Sequence, residues 1–141
     1  MATRGIPLWP LLNTEAAALP ATESLALDAM RAWATSREPL PAAALILAAG
    51  GAEALAVPLD AMLRFATPSL ACPLCPSVAR DEAALLSAIG LAQHGERSCA
   101  LAMLGQVAPP VAAYRAMGAL LGLAGGMARC GLVMTHPFRR G

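Results

Sequence analysis

The run PPVAAYRAMGALLGLAGGMARC, Pro109 to Cys130, decides the fold class. It is too long, too rich in Ala and Leu and too poor in β-branched residues to be a strand. Two prolines open it, because proline suits the first helical turn and cannot continue what precedes it. Gly131 follows as a natural cap. The pattern predicts the last and longest helix of the chain, about Pro110 to Cys130.

The same punctuation recurs upstream. A first helix is expected over about Thr22 to Arg37, with Leu27, Met30, Trp33 and Ala34 on an apolar face and Ser24, Asp28, Arg31 and Thr35 on the polar one. Glu38-Pro39 ends it, and Pro41 opens a nearly all-apolar helix to Ala49, a composition expected at the centre of a core. Gly50 and Gly51 stop that helix. A third is expected from Pro58 or Leu59 to Ala66, a fourth from Asp81 to Gln93, and a short fifth from Arg97 to Gly105 or Gln106. Asp81 and Glu82 read as dipole partners at a helix start. No alternating run bounded by hairpin dipeptides appears anywhere.

The expectation is therefore an all-α, compact bundle of five to six short-to-medium helices with a long C-terminal helix and a central loop that carries cysteines. One helical domain spans 1–141, with an irregular N-terminal arm at 1–20, a Cys/Pro loop at 69–80 and a loose tail at 135–141. With 57% hydrophobic residues and only five aromatics, the core must be built from Leu, Ala, Met and Val.

The net charge is +1, and every cation is Arg. Such composition is what a GC-rich bacterial genome produces. Six scattered Arg beyond residue 70 make no nucleic-acid footprint. The N-terminus lacks the continuous apolar stretch of a secretory signal, so the chain is expected in the cytoplasm with reduced or metal-bound thiols. Membrane spanning is not expected: Arg115 and Arg129 cut the best candidate to thirteen uncharged residues, Ala116 to Ala128.

Chemistry concentrates in Cys72-Pro73-Leu74-Cys75-Pro76. Two thiols at this spacing can turn onto one ion, and the flanking prolines lower the ordering cost. A structural zinc site needs two further ligands. His94 and Cys99 complete the pattern C-x2-C-x18-H-x4-C; Cys130 and His136 are the alternative second half. Otherwise Cys99 and Cys130 are small buried hydrophobes, His94 is a surface residue at a helix end, and His136 belongs to a mobile tail.

The rival chemistry is a dithiol cycle, with Cys72 as nucleophile and Cys75 as resolving thiol. Helical peroxidase-like proteins of the alkylhydroperoxidase D type carry C-x2-C-x3-H; here Ala79 stands where that His would be, so the resemblance fails at its proton-transfer residue. No nucleotide-binding, serine-hydrolase or zinc-protease signature is present. Gly118, Gly122 and Gly126 fall four apart on the last helix, suited to close packing against the second helix or to self-association. The reading is a non-catalytic accessory or interaction protein with a protein partner or a second copy of itself, a zinc clip its one cofactor, and no nucleic-acid ligand. The alternatives are the dithiol enzyme and a helical subunit of a membrane-associated assembly.

Overall fold

The protein is described by a computed structural model over residues 11–138. Among these residues there are six α-helices and no strand: α1 Ala21–Thr35, α2 Pro39–Ala48, α3 Ala56–Ala66, α4 Arg80–Gln93, α5 Arg97–Leu104 and α6 Pro110–Arg129. Short 3-10 turns at Ala16–Ala18 and Glu53–Leu55 precede α1 and α3. The all-α bundle and its long last helix are as the sequence implies. Residues 1–10 of the arm and 139–141 of the tail lie outside the described residues.

The breaks have local causes. Pro39 forces Glu38 out of the helical region (φ −120°, ψ 80°), which separates α1 from α2. Gly95 and Gly131, at φ +80° and +81°, end α4 and α6 in the left-handed conformation. In each case the next N–H reaches back five residues, Glu96 to the Leu91 carbonyl at 2.9 Å and Leu132 to the Met127 carbonyl at 2.8 Å.

Helix α4 is the central element. From Glu82 to Leu91 every residue is buried, since α1, α5 and α6 all pack on it. Leu85, Leu86 and Ile89 meet Leu27, Met30, Met62, Leu63, Leu104 and Leu120 in one hydrophobic cluster. Helix α2, the expected core helix, is instead peripheral. Only Ala43 and Leu47 are buried there, and Leu45 is 77% exposed. Its uniform composition has no amphipathic stripe to fix its place, so packing against α1 and α3 decided it.

The glycine stripe divides. Successive steps of four advance the helix face by about 40°, so a stripe wraps away from its first residue. Gly118 and Gly122 face open space, whereas a Cβ on Gly126 would collide with Leu55. Gly126 thus packs on the turn before α3, not on α2. Trp33 joins α1 to α3 by donating from its indole N–H to Asp60 at 2.8 Å.

The tail expected to be loose is anchored as far as Phe138. Gln93 donates to the carbonyls of Ala124 (3.2 Å) and Leu132 (2.8 Å) and accepts from the Met134 N–H at 2.6 Å. Glu23 accepts from the Thr135 N–H at 3.1 Å. A Cβ at Gly90 would stand 3.2 Å from the Thr135 carbonyl oxygen, so the glycine lets the tail cross α4 closely.

Gly118→Ala and Gly122→Ala should each raise unfolding free energy by about 0.5–1 kcal/mol in urea titrations, the helix-interior advantage of Ala. Gly126→Ala should destabilise, because Leu55 must move.

Candidate functional site: the thiol loop

The loop between α3 and α4, residues 67–79, is organised by a buried ion pair. Arg31 of α1 and Glu82 of α4 are 1% and 0% exposed. The guanidinium grips the carboxylate with two parallel bonds, Nε to Oε2 at 2.8 Å and Nη2 to Oε1 at 2.9 Å. Both groups also bond loop backbone. Arg31 donates to the carbonyls of Cys75 (2.8 Å) and Ser77 (2.9 Å). Glu82 accepts from the N–H groups of Ala71 and Ala79, both at 2.9 Å. Desolvation alone would raise the pKa of Glu82, but the Arg31 bond, the two backbone N–H groups and the Arg31 charge outweigh it and hold it below the ordinary carboxylate range. The Arg31 pKa is raised, chiefly by its bond to Glu82 and against desolvation.

The N-terminal arm secures the other side of the loop. Asn13 donates to the Val78 carbonyl at 3.0 Å, Ala16 to the Pro76 carbonyl at 2.7 Å, and Val78 returns a bond to Thr14 at 2.9 Å. Val78 is fully buried beneath this bridge. Near the start of the loop, the Ser69 N–H donates to Asp81 at 2.7 Å.

What this scaffold presents is a tight turn. The Cys75 N–H donates to the Cys72 carbonyl at 3.0 Å, with Pro73 at the turn position that favours its fixed φ. Cys72 is exposed, Cys75 half-buried, and neither is in a disulfide. The Cys75 thiol lies 3.4 Å from the Ser77 carbonyl, to which it donates. Leu74, between them, is 90% exposed. The turn offers two thiols and an apolar tip to whatever approaches it.

The other expected ligands are at the far end of the molecule. Cys72 and Cys75 precede the N-terminus of α4, and His94 caps its C-terminus. Fourteen residues at about 1.5 Å each put roughly 20 Å of helix between them. Cys99 is exposed on α5 and Cys130 is exposed at the end of α6, so neither is a buried hydrophobe. Among the described residues no three of His, Cys, Asp or Glu are grouped to hold a metal ion. The set Cys72, Cys75, His94 and Cys99 is therefore not assembled within one chain, nor is the set with Cys130 and His136.

His94 and His136 meet each other instead, with ring centroids 5.1 Å apart. His94 donates from Nε2 to the Met134 carbonyl at 3.1 Å. His136, expected in the loose tail, is buried: Nε2 donates to Glu96, and Nδ1 accepts from the Phe138 N–H at 3.1 Å. Both ring nitrogens of His136 are occupied in holding the tail.

Arg31 is the residue that sequence reasoning misplaced. Helical periodicity puts it on the polar face of α1, yet it sits four residues from Leu27 and beside Met30, both buried. That i, i+4 relation to a core leucine was the available signal. Glu82 does meet the N-terminus of α4 as expected, through Ala79, but its main partner is Arg31.

One further surface stands out. Pro110, Val111, Tyr114 and Arg115 line a shallow open hollow at the start of α6, where Val111 and Tyr114 are 67% and 74% exposed. Among the described helices α6 alone is long and apolar enough to cross a membrane by length and composition, although its inner face packs on α3, α4 and α5. Compared with protein-family models, curated proteins and solved structures, the chain matches none.

Glu82→Gln should cost about 3–5 kcal/mol, because it leaves Arg31 buried without a counter-charge. The folded pKa of Glu82 is depressed, so its stabilisation is present above its unfolded value near 4.3 and lost as pH falls through the folded value. Urea titrations below about pH 4.5 should show that loss in the wild type and lack this component in Glu82→Gln. Replacing both partners, Arg31→Met with Glu82→Leu, should recover stability relative to either single change. Amide exchange at Ala71 and Ala79 should nevertheless accelerate, since their acceptor is gone.

Proposed function

We propose that the chain is a non-catalytic helical interaction protein that works through the Cys72–Cys75 turn, with the two thiols serving as half of a structural zinc clip. The observation that carries this reading is the support beneath the turn. A buried, bidentate ion pair directs four hydrogen bonds at loop backbone, on Ala71, Cys75, Ser77 and Ala79, while the tip is left to solvent. An ordered loop that exposes a leucine between two thiols has little use for the stability of its own fold. It suits contact with a partner, and preorganisation reduces the entropy lost on binding or metal capture.

The dithiol reading uses the same residues, Cys72 attacking and Cys75 resolving. Activation of a thiol commonly draws on a helix N-terminus or a nearby cation. Arg31 is a cation beside Cys75, but its charge is already met by the Glu82 carboxylate. Here the N-terminus of α4 is occupied by the Glu82 carboxylate, and both histidines are at the opposite end of that helix. These features favour zinc over turnover.

Protein purified under reducing conditions without chelator should carry zinc, measured by elemental analysis. Cys72→Ser with Cys75→Ser should remove the metal and leave the helical circular dichroism unchanged. Wild-type protein without zinc would overturn the clip. A thiol in that protein that alkylates rapidly below about pH 7.5 would favour the dithiol reading instead.

A further inference from the structure

The turn supplies two ligands, and a structural zinc site closes tetrahedrally with four. The missing half has few sources. Within the described chain no third His, Cys, Asp or Glu joins the pair. The nearest expected donors stand a helix length away, and His136 is already engaged through both nitrogens. Moving His94 or Cys99 to the loop would require unfolding α4, the most buried helix of the bundle.

We infer that the second half is the same turn of a second copy, so that one zinc ion is held by Cys72 and Cys75 of two chains. This rests on the reading of the turn as a zinc clip and adds the identity of the partner. A two-fold axis through the metal brings identical patches together, and each copy supplies the two ligands that the other lacks. Cys72 is exposed, and half-buried Cys75 gives up its S–H bond to the Ser77 carbonyl as it loses its proton to the metal. Leu74, 90% exposed between the ligands, gains a hydrophobic neighbour in its twin beside the metal. Pro73 and Pro76, on either side of the tip, are exposed as well, so the solvent-facing part of the turn is continuous.

The chemistry is coordination without electron transfer. Four thiols bind one Zn²⁺, and each S–H loses its proton to buffer as the metal–sulfur bond forms. Affinity therefore falls as pH falls.

The test is a zinc titration of the full chain, reduced and freed of metal, followed by light scattering and by cobalt substitution. The expected result is a doubling of mass that saturates at half a zinc per chain. Cobalt should give the absorption of a tetrahedral four-thiolate ion. Cys72→Ser and Cys75→Ser should each abolish the mass change, whereas Cys99→Ser and Cys130→Ser should leave it intact. Saturation at one zinc per monomer would overturn the shared site while sparing the clip. Absence of zinc binding would overturn both. A dimer that forms without zinc, or that survives loss of Cys72 and Cys75, would overturn the shared site.

Discussion

The Arg31–Glu82 pair is the constraint on which the rest of the site depends. Taking two opposite charges out of water is expensive, and a pair of well-packed hydrophobic residues can often hold two helices together as well. What an apolar pair cannot do is supply hydrogen bonds to a loop. Arg31 and Glu82 together satisfy two carbonyls and two N–H groups of the segment between α3 and α4. Without them that backbone would face the end of the bundle with unpaired polar groups, each costing about 1–3 kcal/mol if buried. The ion pair thus converts a connection into a shaped surface, and the arm bridge at Pro76 and Val78 closes its other flank.

The length of α4 then separates two kinds of polar chemistry. At its N-terminal end are the thiol turn and the charged pair. At its C-terminal end Gln93, His94, Glu96 and His136 hold the tail across Gly90. The histidines are consumed by structure, and the thiols are left without them. The two histidines and the two thiols are thus held at opposite ends of one buried helix.

Small residues set the remaining geometry. Ala-rich faces let α4 bury all of its sides, and Gly126 admits Leu55 where any Cβ would collide. Gly118 and Gly122 have no such neighbour, and the apolar surface of α6 around Val111 and Tyr114 remains open. Helix α2 contributes a second exposed apolar face at Leu45.

The sequence by itself determined the helices, because their signals are local. Prolines at first turns, glycines after last turns and Ala/Leu-rich runs act through backbone sterics within a few residues. The thiol turn was legible for the same reason: Cys72, Pro73 and Cys75 are close in the chain and stay close in space. Only the tertiary structure decided which charges were buried, because Arg31 and Glu82 are 51 residues apart and pair only when α1 docks on α4. It likewise decided that α2 lies outside and that His94 belongs with His136 and not with the cysteines. Ligand spacing along a chain says nothing of a rigid helix lying between the ligands, and α4 is that helix.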